Sequence, residues 1–184
     1  MDPMGDRSKD VTTASTAALP ATVARALDFD ALYRDARDDV FAYTATLLRD
    51  HAAAEDVTAQ AFERAYKRRS RFDARRGSPR AWLFGIARNA ALDELRSRKR
   101  AATAEYPSPP SAPGPDEAAV LAAERDAVRV ALGSLQPRDR ELIALKYHAE
   151  LSNAEIAEVI GVSASNAGTM LHRAMNKLRE AVDA

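Results

Sequence analysis

The sequence predicts an all-α protein made of two small helical domains joined by a proline-rich linker, the C-terminal one carrying a helix-turn-helix. Three observations carry this reading. Apolar residues recur at steps of three and four through most of the 184-residue chain, the spacing that lines one face of a helix. No stretch keeps the alternation of two that a half-buried strand needs. Five of the sixteen residues from Ala101 to Asp116, AATAEYPSPPSAPGPD, are proline.

Proline fixes φ and removes a backbone donor, so 101–116 cannot continue a helix or join a sheet. At ~3.1 Å per residue it could span on the order of 50 Å. The domains on either side are expected at 26–100 and 117–184. Residues 1–25 are small and polar, with Asp2, Asp6 and Asp10, and read as a disordered tail. They lack the basic start and apolar run of a secretory signal.

In the first domain Phe29, Leu32, Tyr33, Ala36, Val40, Tyr43 and Leu47 form one apolar stripe. A second helix is expected from about Ala53 to Arg69, with Val57, Ala61, Phe62, Ala65 and Tyr66 on its buried side. A third starts at Ser78, a good cap, and Pro79, which suits a first helical position. It runs through Trp82, Leu83, Ile86 and Ala90 to about Arg98. Trp82 is expected in the core, as bulky aromatics usually are.

In the second domain Val120, Leu121, Val128, Leu132 and Leu135 predict a helix stopping near Gly133. Pro137 restarts the chain, and Leu142, Ile143 and Leu145 continue it. Ser152-Asn153-Ala154-Glu155 is a capping box, in which the serine caps a backbone N–H and the glutamate reaches back. A short helix to Ile160 ends at Gly161, where a left-handed residue can stop it. Ser163 caps a longer helix to about Glu180.

Short helix, glycine turn and longer helix form the pattern of helix-turn-helix DNA binders. Ile156, Ile160, Val162 and Ala167, with Met170 or Leu171, would face inward. Ser163, Ala164, Ser165, Asn166, Gly168 and Thr169 form the exposed start that would meet base edges in the major groove. His172, Arg173 and Lys177 lie further along, within reach of phosphate.

Composition narrows the chemistry. Apolar residues make up 46% of the chain, enough for real cores, and there is no cysteine. Disulfides, thiol catalysis and cysteine–zinc sites are excluded. His51, His148 and His172 have no metal-ligand spacing, so neither metal nor cofactor is expected. No window approaches eighteen uncharged apolar residues, so no membrane insertion is expected. Acid pairs such as Asp38-Asp39, Glu55-Asp56 and Asp93-Glu94 are sequence neighbours that diverge on a helix, which argues against an enzyme. Net charge is zero, yet 61–100 holds thirteen basic and four acidic residues. So dense a basic stretch in a neutral chain is an electrostatic footprint for phosphate.

AEDVTAQAFERAYK at 54–67, GSPRAWLFGIARNAALDELRSRKR at 77–100 and LQPRDRELIALKYHAELSNAEIAEVIGVSASNAGTMLHRAMNKLRE at 135–180 resemble bacterial sigma factors. The match is to the small extracytoplasmic-function (ECF) group of the sigma-70 family. The resemblance implies a cytoplasmic transcription initiation factor that binds core RNA polymerase at its β′ clamp helices and β flap. It implies sigma domain 2 at 26–100 and sigma domain 4 at 117–184. Asp56, Gln60, Glu63 and Arg64 would face the clamp helices. Phe72 and Asn89 match pocket positions that hold a base extruded from the minus-ten element. An aromatic wall contacting a base while an amide reads its edge is sound chemistry. Arg76, Arg80, Arg88 and Arg96 would hold non-template phosphates. The helix-turn-helix would read minus-35 promoter DNA through Ser163, Ser165, Asn166, Thr169, His172, Arg173 and Lys177. Where many relatives carry a basic residue this chain has Gly168, which points to a different promoter preference. An anti-sigma factor is a common partner in the family. The rival readings are a helix-turn-helix regulator acting without polymerase and a helical adaptor.

Overall fold

A computed structural model describes residues 27–102 and 119–183. Among them are seven α-helices and no strand: α1 (Phe29–Leu48), α2 (His51–Arg68), α3 (Pro79–Ala102), α4 (Ala119–Ser134), α5 (Pro137–Tyr147), α6 (Asn153–Ile160) and α7 (Ala164–Val182). Two 3-10 turns, Arg69–Arg71 and Ala74–Arg76, join α2 to α3. The expected tail and most of the expected linker lie outside the described residues. Ala101 and Ala102, expected to open the linker, instead continue α3.

Helices α1 to α3 form a three-helix bundle. Asp28 caps α1 by accepting from the Ala31 N–H at 2.9 Å. Asp50 caps α2 by accepting from the Ala53 N–H at 3.1 Å, and its other oxygen takes Arg98 of α3 at 3.0 Å. One carboxylate thus ends a tight turn and ties it to the third helix. Ala36, Val40, Tyr43, Ala54, Ala61, Ala65, Leu83, Phe84 and Ala87 are wholly or almost wholly buried. Their alanines let the helix axes approach closely, while Tyr43 and Phe84 fill the centre edge to face, 5.4 Å between centroids.

The stripe read from sequence is broader than the buried face. Tyr33 and Tyr66 are 42% and 50% exposed. Both sit at the margin where α1 meets α2. Tyr33 lies edge-on to Phe62, and Tyr66 edge-on to Phe29 with the Arg69 guanidinium 3.9 Å from its ring centre. A tyrosine there buries one side of its ring and keeps its hydroxyl wet.

Helices α4 to α7 form the second bundle. Helix α4 passes through Gly133 and ends at Ser134, one residue beyond the expected stop. Its terminal carbonyls are taken by Arg140, a buried residue of α5 that donates to Leu132, Gly133 and Leu135 at 2.9–3.3 Å. A buried guanidinium with three backbone acceptors satisfies both itself and the helix end. Val128, expected on the apolar side of α4, is 42% exposed, because α4 packs through Ala131 and Leu132 instead, with Leu135 just beyond its end.

The bundles do not stand apart. One buried cluster runs from Leu32 in α1 through α3 to Leu142, Leu145, Ile156 and Ala167 of the second bundle. Helix α5 packs on α1, and α6 packs on α3.

Candidate DNA-binding sites

The helix-turn-helix forms as its local sequence dictates. Ser152 Oγ accepts from the Glu155 N–H, and Glu155 Oε2 accepts from the Ser152 N–H at 2.9 Å and hydroxyl at 2.7 Å. Gly161 ends α6 at φ 76°, a left-handed geometry that glycine adopts without strain. Ser163 Oγ accepts from the Asn166 N–H at 3.2 Å and starts α7. Ile156, Ala157 and Ala167 are buried where the two helices cross.

Ser163, Ala164, Ser165, Asn166, Thr169, His172 and Arg173 all lie exposed. Lys177 lies along the same helix but donates to Asp139 of α5 at 2.6 Å. Gly168 does not belong to the open face. It is half-buried, and a Cβ there would stand 3.2 Å from Asn153 Nδ2. A side chain there would need the Asn153 amide to shift by a few tenths of an ångström, and the glycine departs from the basic residue of many relatives.

In the first bundle a hollow of about 490 Å³ lies between the two 3-10 turns and α3. Phe72, Trp82, Gly85, Ile86 and Asn89 line it, with Arg71, Asp73 and Arg76 at the turns. Phe72 and Trp82 meet edge to face at 5.6 Å. Trp82, expected in the core, is half-buried, one side packed on the core and the other lining the hollow. Asn89 is exposed, one helical turn from Gly85. Volume, aromatic walls and an amide suit a flat heteroaromatic ligand.

Gly85 was not singled out from the sequence. It stands inside α3, where glycine costs about 0.5–1 kcal/mol relative to alanine. Nothing lies within 4 Å of a Cβ built there, so packing gives no reason for it. It lines the hollow. Gly85→Ala is expected to raise Tm by about 1–4 °C, since ~1 kcal/mol moves a chain of this size by about 2–4 °C. It is also expected to narrow the hollow and weaken binding of a single-stranded oligonucleotide there. A higher Tm with unchanged binding would remove Gly85 from the site.

The expected phosphate contacts differ in surroundings. Arg76 is exposed, and Arg96 lies exposed beside Asp93 at 3.1 Å. Arg80 and Arg88 turn toward the second bundle. Arg80 Nε donates to the Ala149 carbonyl at 2.5 Å, and its Nη2 donates to the His148 carbonyl at 2.9 Å and to Asp39 at 2.6 Å. It thereby caps the negative end of α5. Arg88 donates to Glu141 of α5 at 2.6 Å, with the Arg88 and Glu141 side chains 22% and 10% exposed. Ser78 accepts from the Ala81 N–H at 3.1 Å and donates to Glu155 at 2.5 Å. That hydroxyl, foremost among several donors, holds the Glu155 carboxyl below the usual glutamate range. His148, 3.2 Å from Thr46 Oγ1, is pushed down by burial, with Asp39 partly opposing. Tyr43 is pushed well up by burial beside Glu141, and its hydroxyl has no partner within bonding distance.

On α2, Asp56, Gln60 and Glu63 are exposed along one face. Arg64 is half-buried and leans to Asp93 of α3 at 3.5 Å, so it sits at the edge of that face. No group of three or more histidines or carboxylates among the described residues could hold a metal ion. No helix among them is long and apolar enough to cross a membrane.

A basic helical bundle with an aromatic-and-amide hollow, joined to a helix-turn-helix, defines a bipartite DNA-binding factor. Residues 32–101 match the family model for Sigma-70 region 2, and residues 125–178 match that for Sigma-70, region 4. The chain is 32% identical over 162 residues to the ECF RNA polymerase sigma factor SigL of Mycobacterium tuberculosis, covering 86% of this chain and 91% of SigL. It is 30% identical over 156 residues to the ECF sigma factor SigK of Mycobacterium sp. strain JLS, covering 82% and 79%. The chain belongs to the ECF group of the sigma-70 family and is an RNA polymerase sigma factor.

Solved structures agree on the fold. The sigma factor RpoE of Bartonella quintana, solved with the anti-sigma factor NepR, superposes with a TM-score of 0.75 at 23% identity, covering 85% of this chain and 98% of that one. CnrH, solved with the cytosolic domain of CnrY, gives 0.63 at 25% identity, covering 84% and 87%.

Proposed function

We propose that the hollow beside Phe72 and Asn89 receives an unstacked base of the minus-ten element, with Phe72 contacting its face and Asn89 reading its edge. The observation that carries this is the convergence of two aromatic rings, an amide and a bare glycine on one cleft of a basic bundle. Arg76, Arg80, Arg88 and Arg96 hold non-template phosphates once that strand is engaged. The exposed start of α7, Ser163 to Asn166 and Thr169, reads the minus-35 element, and His172, Arg173 and Lys177 meet its backbone. No arginine stands in the first turns of α7, so groove shape and phosphate contacts carry much of this readout.

Asp56, Gln60 and Glu63, with Arg64 at their edge, form the docking face for the β′ clamp helices, and the second bundle meets the β flap. The factor acts in the cytoplasm and supplies recognition, while polymerase supplies the chemistry. An anti-sigma factor is a further expected partner; the likeness to CnrH, solved in complex with the cytosolic domain of CnrY, supports a protein partner for this fold. A regulator acting without polymerase would leave the region 2 match over 32–101 without a role.

The test is promoter-specific run-off transcription by core polymerase with and without the purified chain, on templates carrying both elements, one or neither. Transcripts are expected only with the factor and fall when either element is scrambled. No transcript from any promoter that carries both elements, despite co-elution with core enzyme, would sink the two-element reading.

A further inference from the structure

The reading face proposed for α7 has a gap in its middle. Ala164 and Ser165 stand four and three residues before Gly168, and His172 four after it, so all share one stripe of the helix. Ala164 and Gly168 carry no side-chain donor or acceptor. Two of the hydroxyls proposed to meet bases are already engaged within the helix. Ser163 Oγ accepts from the Asn166 N–H, and Thr169 Oγ1 donates to the Ser165 carbonyl at 3.1 Å. The stripe is therefore poor in groups that tell one base pair from another.

The gap is filled from the neighbouring helix. Asn153 is the first residue of α6 and is exposed. Its amide nitrogen lies 3.2 Å from where a Cβ of residue 168 would stand. The carboxamide thus lies beside the stripe, next to the place that a side chain at 168 would take. The capping box of Ser152 and Glu155 brackets Asn153 and fixes its backbone, so the amide is presented with little freedom left to lose. Among the described residues the carboxamide has no hydrogen-bond partner.

An amide suits one base in particular. Adenine offers N7 as acceptor and its N6 amino group as donor in the major groove, and asparagine can pair with both at once. Arginine or lysine would select guanine instead.

We propose that Asn153, carried on α6 and not on the recognition helix, reads an adenine edge in the minus-35 element across the space left open by Gly168. The pair stands where many relatives carry a basic residue, and it turns the preference at the facing base pair from guanine to adenine. This rests on the minus-35 reading given under Proposed function.

The experiment uses the full chain with core polymerase and a promoter that the factor transcribes, randomised across its minus-35 element. Sequencing the bound promoters gives base preference position by position. The parent is expected to favour adenine on one strand at one position by about tenfold. Asn153→Ala is expected to flatten that position alone, with the other preferences and Tm unchanged. Gly168→Ala keeps Asn153 but crowds its amide. It is expected to shrink the same preference and to add nothing when combined with Asn153→Ala. Its Tm should hold or rise, since glycine is costly inside a helix. Gly168→Arg with Asn153→Ala is expected to turn the position to guanine.

Preferences that stay the same at every position in Asn153→Ala would overturn the proposal. Uniform weakening across all positions would overturn it too, since Asn153 would then be a backbone contact or a packing residue. Additive effects of Asn153→Ala and Gly168→Ala at different base pairs would break the link between the two residues and overturn it as stated. A parent with no preference at any minus-35 position would sink the minus-35 reading itself, and this inference with it.

Discussion

Replacing Phe72 by alanine is expected to reduce promoter opening by the polymerase complex by about tenfold to a hundredfold, with polymerase binding unchanged. Stacking of a base on an aromatic side chain contributes about 1–3 kcal/mol by alanine substitution, and 1.4 kcal/mol is a factor of ten. Phe72 follows the first 3-10 turn, its N–H donating to the Arg69 carbonyl at 3.3 Å, and is only half-buried, so its ring is available to a ligand. It also touches Trp82, so a packing role has to be separated from a stacking one. Phe72→Leu keeps most of the packing and removes the aromatic face. If stacking matters, both variants lose opening, read as permanganate reactivity of unpaired thymines, while the leucine variant keeps its Tm. If only alanine loses opening, and loses Tm with it, Phe72 is a packing residue. Asn89→Ala should act differently. Single base changes in a recognised site typically cost about 1–3 kcal/mol. Without the amide that difference should flatten at one minus-ten position while polymerase still co-elutes. Unchanged start-site choice would take Asn89 out of the cleft.

What the sequence carried well was whatever is decided within a few residues. Ser152 with Glu155, the stop at Gly161 and the cap at Ser163 each rest on contacts spanning three or four positions, and all three stand as expected. Pro79 opening α3 belongs with them. The helix faces were readable to the extent that period alone decides burial. Tyr33, Tyr66 and Val128 fell outside that, because the margin of a buried stripe is drawn by the neighbouring helix. The arrangement of the bundles was not legible. Arg80 and Arg88 read as members of a basic stretch, yet their partners are the carbonyls of His148 and Ala149 and the carboxylate of Glu141, more than fifty residues away. Glu155 reads as half of a capping box, and nothing local announces that its other oxygen meets Ser78. Gly168 invited comparison with the basic residue of relatives, but its approach to Asn153 is a packing fact visible only in three dimensions.

Ile156→Ala is expected to destabilise the protein by about 2–5 kcal/mol and to abolish minus-35 binding with it. Ile156 is fully buried in the first turns of α6, within the cluster that runs unbroken into the first bundle. Truncating a buried isoleucine removes its transfer free energy and leaves a cavity, which together cost about that much. A domain typically holds only about 5–15 kcal/mol in total, so the loss is a large share. At about 2–4 °C per kcal/mol, Tm should fall by roughly 5–20 °C. The functional consequence follows from geometry. Helix α7 is aimed by its crossing with α6 at Ile156, Ala157 and Ala167, and the residues proposed to meet bases stand just beyond that crossing. Ile156→Val gives the graded comparison, at about 0.5–1.5 kcal/mol. If binding to a minus-35 duplex tracks stability through valine and then alanine, the crossing sets the aim of the recognition helix. A stable alanine variant that still binds would mean that the cleft between α6 and α7 collapses around the missing atoms, and that Ala157 and Ala167 suffice to hold the angle.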